Sequence, residues 1–137
     1  MFGTPAFDAF VTEHRWAVVT TVRKSGQPSS TLVAYARDGD SLIVSTMRKF
    51  AKVKMLDRDP RITVTVISNR EPFNFITVEG TATIERDYAA ILEPTKKVFQ
   101  ALAAINYKEP EDIPAWLESQ GRVIVRVHPD RVYGVIR

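Results

Sequence analysis

Hydrophobic positions in this chain fall mainly in short β-type runs closed off by turn residues, and the spacing becomes helical in only a few places. Trp16 to Val22 (Trp-Ala-Val-Val-Thr-Thr-Val) is the first β run, rich in β-branched residues. Lys24-Ser25-Gly26-Gln27-Pro28 forms a turn, and Ser29 to Ala36 returns as a second strand. Asp38-Gly39-Asp40 turns again into Ser41-Leu42-Ile43-Val44-Ser45-Thr46, which completes a predicted three-strand meander. Further on, Arg61 to Ile67 alternates cleanly, with Ile62, Val64 and Val66 directed inward and Thr63 and Thr65 outward. Ser68 to Pro72 is turn-like, and a long strand follows from Phe73 to Ile84. Its interior Gly80 marks a bulge or bend. Val123 to Val127 is a final strand that Val132 to Ile136 continues or follows.

The helical signals are shorter. Thr4-Pro5 reads as an N-cap with proline at the first helical position, and Phe7, Phe10, Val11 and His14 then repeat at helical spacing. Ala51 to Leu56 runs without Gly or Pro until Asp59-Pro60, long enough for a short helix. Asp87 can cap a helix carrying Tyr88, Ile91 and Leu92, which Pro94 kinks or restarts and Val98, Phe99 and Leu102 extend. Tyr107 to Pro114 is a loop, and Ala115 to Glu118 adds one helical turn. The fold class is therefore mainly β (α+β): six or seven antiparallel strands in a small closed or nearly closed barrel, with short flanking helices. Residues 1–137 form a single domain, with no repeat, linker or low-complexity segment.

Composition narrows the function. At 45% hydrophobic and 26% charged residues the chain resembles an ordinary globular domain. A net charge of +3, with cations concentrated only around Arg48 to Arg61, argues for a local site and against a nucleic-acid surface. Cysteine is absent, which removes disulfides, thiolate zinc sites and thiol nucleophiles. No run reaches membrane-spanning length, and Met1 to Pro5 lacks a basic region followed by an apolar one, so a cytoplasmic location is expected.

The two histidines have structural explanations: His14 continues an apolar helical stripe and His128 precedes Pro129 at a strand end. Carboxylates are scattered, and no metal-ligand cluster, nucleophile elbow, Walker loop or dinucleotide fingerprint occurs. No catalytic side chain can be named. Such a chain can still be an enzyme if a cofactor carries the chemistry.

One junction invites a ligand. Where the Ser41–Thr46 strand hands over to the Ala51 helix, two hydroxyls (Ser45, Thr46) meet four cations, Arg48, Lys49, Lys52 and Lys54. A helix N-terminus offers unpaired N–H groups and partial positive charge, which suits a phosphate or carboxylate. The alternative is a solvated cationic helix face, and residue types alone leave both open. Phe73 and Phe75 likewise lie on one face of a strand, either as core or as the wall of a ligand site.

Several segments, in order, resemble a known family: the flavin- and deazaflavin-binding split β-barrels related to pyridoxamine 5′-phosphate oxidase. They are Val19-Thr20-Thr21-Val22 through Pro28, Val44-Ser45-Thr46, Ala51-Lys52 through Arg61, Val78-Glu79-Gly80-Thr81-Ala82 and Val132-Tyr133-Gly134. The resemblance is nearest to the actinobacterial branch that uses coenzyme F-420. It implies a homodimer with two cofactor sites at the subunit interface and a small conjugated organic acceptor as substrate.

It further implies that Ser45, Thr46 and Lys52, with the adjoining Ala51, hold the cofactor phosphate. Ser29, Thr31 and Val33 lie against the ring, and Phe73 and Phe75 approach it from the other subunit. Many relatives have Arg where this chain has Phe50, which cannot make a bidentate phosphate contact; Arg48 and Lys49 are the neighbours able to replace it. FMN in place of F-420, or a flavin- or tetrapyrrole-binding protein without turnover, are the alternatives. No pocket for a polyglutamate tail can be read from the sequence.

Overall fold

The computed structural model describes residues 1–68 and 70–137; Asn69, part of the expected Ser68–Pro72 turn, lies outside the described residues. The elements in order are α1 (Pro5–Glu13), β1 (Trp16–Val22), β2 (Pro28–Ala34), β3 (Ala36–Asp38), β4 (Ser41–Met47), α2 (Ala51–Arg58) and β5 (Arg61–Ile67). They continue with β6 (Phe75–Glu85), α3 (Leu92–Ala103), α4 (Ile113–Gln120) and β7 (Arg122–Val135). The strands form one antiparallel sheet, ordered β2-β1-β5-β6-β7-β4-β3 and curled into a half-barrel.

Alternation creates the core. Ile62, Val64 and Val66 of β5 point inward with Ala17 and Val19 of β1, Ile76 and Val78 of β6, and Val125 and Val127 of β7. Phe10 and Val11 of α1 and Leu56 of α2 close the ends. A second core lies behind β4 and β7, where Ile43 and Ile124 pack on Val98 and Phe99 of α3 and Leu117 of α4. Buried on both faces, β4 carries an unbroken Leu-Ile-Val run. Each fully buried aliphatic side chain contributes roughly 1.5–3 kcal/mol.

Helix α1 starts as expected: the Thr4 hydroxyl accepts from the Phe7 N–H at 3.2 Å, with Pro5 in the first turn. The bulge at Gly80 is also present. Glu79 pairs with Arg131 but Gly80 with Pro129, which leaves Asp130 as the extra residue. Proline, lacking an N–H, is tolerated there, so of the two outcomes left open by the sequence the second run continues the first, in one β7.

Five expectations are corrected. The predicted Ser29–Ala36 strand breaks at Tyr35, whose hydroxyl donates to the Val11 carbonyl at 2.6 Å while its N–H donates to the Arg15 carbonyl at 2.9 Å. The predicted meander is two hairpins at opposite edges, because β4 pairs with β7, from Leu42↔Val127 to Met47↔Arg122. Strand β6 begins at Phe75 rather than Phe73; Phe73 sits in the preceding turn at φ 71° and is 76% exposed. Asp87 caps a turn rather than a helix, its carbonyl accepting from the Ile91 N–H at 3.0 Å, and the helix restarts at Leu92 with Pro94 in its first turn. Helix α4 is longer than the single predicted turn; Asp112 caps it at 3.0 Å and Gly121 ends it in the left-handed region at φ 60°.

An ion network holds α3 against the sheet. Arg126 donates to both oxygens of Glu85 and to Asp38, which also accepts from Lys97 of α3 at 2.5 Å.

His14 follows α1, buried and packed on the Phe10 ring at 4.2 Å. Burial lowers its pKa from the ordinary 6.5, partly opposed by the charge of Glu71 and reinforced by that of Arg15. The unfolded chain then takes up the proton first, so stability is level above pH 6.5 and falls as pH drops from there through the folded value. The urea midpoint should be lower at pH 5.5 than at pH 7.5, and His14→Gln should flatten that difference. An equal drop in the variant assigns the effect to other groups.

Candidate functional site

The β4–α2 corner is built from both sides. Strand β4 delivers Ser45 and Thr46, and the following loop is pinned when the Arg48 N–H donates to the Gly121 carbonyl at 2.9 Å. The Arg48 stem packs beside Gly121, whose left-handed φ of 60° rather than a lack of space calls for glycine. The Arg48 guanidinium turns away to donate to the Tyr88 hydroxyl at 2.8 Å, so this cation braces the corner.

Phe50 is the N-cap of α2. Its N–H donates to the Met47 carbonyl and its own carbonyl accepts from the Val53 N–H. No side chain caps the helix among the described residues, so the Ala51 and Lys52 amides lack an internal acceptor.

Two hollows meet at Phe50 and Lys52. A recess of about 270 Å³ is lined by Thr21, Ser29, Thr31, Phe50, Ala51 and Lys52. An adjoining cleft of about 240 Å³ runs between Val33, Ser45, Thr46 and Lys52 on one side and Phe99, Trp116 and Arg122 on the other. No carboxylate lines either hollow among the described residues, and neither Lys52 nor Arg122 forms an ion pair there. Burial lowers the pKa of the Lys52 ammonium and of the Arg122 guanidinium.

The Ser45 hydroxyl oxygen is buried with no hydrogen-bond partner among the described residues. An orphaned buried hydroxyl costs roughly 1–3 kcal/mol, so the site holds polar groups poised for a partner they do not find among the described residues. Two uncompensated cations, free helix amides and an orphaned hydroxyl together suit an anionic ligand with a flat apolar portion.

Eight residues singled out from the sequence line these hollows: Ser29, Thr31, Val33, Ser45, Thr46, Phe50, Ala51 and Lys52. Arg48 braces the corner and Lys49 lines neither hollow. Phe75 opens β6 and Phe73 sits in the turn before it, both outside the two hollows of the same protomer. Sequence reasoning missed Arg122 and Trp116. No local signal marks them; Arg122 reaches the site because it pairs with Met47 in the β4–β7 ladder.

A wider groove of about 400 Å³ crosses β1, β5 and β6 to the bulge, but its lining mixes Arg61 and Arg131 with Glu79 and Asp130. Its mixed charge does not favour one sign of ligand.

The pyridoxamine 5′-phosphate oxidase family profile matches residues 4–136. The chain belongs to the pyridoxamine 5′-phosphate oxidase family. Solved structures share its fold across nearly its whole length. A conserved hypothetical protein from Mycobacterium tuberculosis is 23% identical over 98% of this chain and 84% of its own, at a TM-score of 0.80. An F420 reductase is 20% identical over 96% and 98%, at 0.75. An FAD-binding protein from Mesorhizobium loti is 19% identical over 96% and 93%, at 0.72. No curated protein matches in sequence. As a member of the pyridoxamine 5′-phosphate oxidase family, the chain carries its cation-lined hollows on a fold that an F420 reductase and an FAD-binding protein also adopt.

Proposed function

We propose that this protein is an oxidoreductase that binds the deazaflavin coenzyme F-420 at the β4–α2 corner and uses it to reduce a small conjugated organic acceptor. The observation that carries this reading is Lys52, a half-buried cation with no counter-ion among the described residues, beside α2 amides and a buried Ser45 hydroxyl that likewise find no partner there. Family membership and the F420 reductase and FAD-binding neighbours support a flavin-type ring.

In this reading Lys52, the Ala51 and Lys52 amides, Ser45 and Thr46 hold the cofactor phosphate. Ser29, Thr31 and Val33 of β2 support the ring face. The bound cofactor supplies the hydride-carrying carbon. The protein binds, orients and excludes bulk water; no side chain is assigned as the acid, and a bound water or the substrate itself delivers the proton that accompanies the hydride.

The site is proposed to be completed in a homodimer, with Phe73 and Phe75 of the partner subunit closing over the ring. Exposed Phe73, Tyr133, Val135 and Ile136 at one end of the β6–β7 pair are apolar surface that a second copy would cover.

FMN is the second reading, left open because Phe50 stands where many relatives have the Arg that grips the phosphate. Titrating the purified protein separately with F-420 and FMN, followed by fluorescence or heat, should give the tighter dissociation constant for F-420. Preferential tight FMN binding reverses the order, and binding of neither overturns the proposal. Reduced F-420 should then be oxidised with a panel of conjugated acceptors; binding without turnover leaves a carrier.

A further inference from the structure

The cleft beside the phosphate corner has a far end that the proposed cofactor contacts do not use. Arg122 sits there, at the start of β7, and is held in place twice over. Its Nε donates to the Gln120 side-chain oxygen at 2.8 Å, and its guanidinium lies 4.3 Å from the Trp116 ring centroid. Its two terminal nitrogens carry no hydrogen bond among the described residues, and no carboxylate lines the cleft.

The walls beside it are flat and apolar. Phe99 meets Trp116 edge to face at 5.3 Å and stacks on Tyr107 at 6.2 Å. A desolvated cation without a counter-charge is costly to keep. A guanidinium with its outer fork open matches a carboxylate in two parallel hydrogen bonds, and aromatic walls favour a planar partner.

We infer that this end of the cleft is a carboxylate subsite in which Arg122 anchors a flat, unsaturated carboxylic acid against the wall that Tyr107 and Trp116 form over Phe99. Naming that acid as the substrate class rests on the redox reading above; the subsite itself does not. A phosphate at the α2 end already has Lys52, the free α2 amides and, on the β4 side of this same cleft, the Ser45 and Thr46 hydroxyls, which leaves Arg122 for a second anionic group.

The test uses the full chain without cofactor and calorimetric titration with trans-cinnamate and neutral cinnamamide. Cinnamate should bind at least about tenfold more tightly, and inorganic phosphate should not compete with it. Arg122→Gln should erase that preference while shifting FMN and F-420 dissociation constants less than about twofold; Arg122→Lys should retain part of it.

Equal binding of the two probes by the wild type, or displacement of cinnamate by phosphate, overturns the inference without recourse to a variant. A tenfold loss of both cofactors in Arg122→Gln makes the residue a phosphate ligand. Loss of F-420 alone makes the recognised carboxylate the cofactor's own tail, and each result overturns the substrate assignment. Cinnamate binding through Arg122 with no affinity for either cofactor keeps the subsite and removes the redox reading; the reverse pattern does the opposite.

Discussion

Replacing Gly80 with alanine should lower the melting temperature by about 10 °C, and Gly80→Val should leave little folded protein. Gly80 lies in β6 opposite Pro129, where the extra residue Asp130 brings the two backbones together. A Cβ at this position would lie 2.0 Å from the His128 carbonyl oxygen and 2.9 Å from its carbon. Both are backbone atoms within the longest ladder of the sheet, so no side-chain rotation relieves the clash. Forced overpacking of this kind costs roughly 3 kcal/mol. For a domain of this length each kcal/mol moves the midpoint by about 3 °C.

The matching control is Thr81→Ala, one residue along the same strand and exposed, which should move the midpoint by less than about 2 °C. Thermal melts of the three proteins decide the matter. A Gly80→Ala midpoint within the control's range would mean that the bulge opens at little cost and that the close approach is not obligatory.

The Gly80 bulge was legible because an isolated glycine in a strand pattern has few other reasons to be there. The β5 alternation and the Thr4 cap were legible for a similar reason: each is decided by neighbours within a few residues. The pairing of β4 with β7 was not. Those strands are far apart in sequence, and a run such as Leu42-Ile43-Val44 can pair with any other apolar strand until the whole sheet selects one.

Tyr35 broke a strand that contains no turn residue, because its hydroxyl and amide are claimed by the α1 end. Phe73 belonged by pattern to a strand yet occupies a left-handed turn. The candidate site divides along the same line. Ser45 to Lys52 form one contiguous stretch and could be read together, whereas Arg122 and Trp116 arrive only through the β4–β7 register and the packing of α4.

Lys52→Ala should weaken binding of the phosphorylated cofactor by about 10- to 150-fold while leaving the fold at least as stable. The binding term is the loss of a charge-assisted hydrogen bond, roughly 1.5–3 kcal/mol, converted at 1.4 kcal/mol per tenfold. The stability term has the opposite sign. Lys52 has no ion-pair partner among the described residues, and burial disfavours its charged form, so removing it relieves desolvation. Alanine is also the better helix former in the first turn of α2.

Those opposite signs separate the readings. A solvated surface lysine would change neither quantity, and a structural one would lower the melting temperature. Lys52→Arg should keep most of the affinity, because it keeps the charge at the same corner. Dissociation constants for FMN and F-420, measured by fluorescence alongside thermal melts, read both terms in one set of proteins. Unchanged constants for both cofactors in Lys52→Ala would remove the phosphate from this corner and the proposed redox function with it.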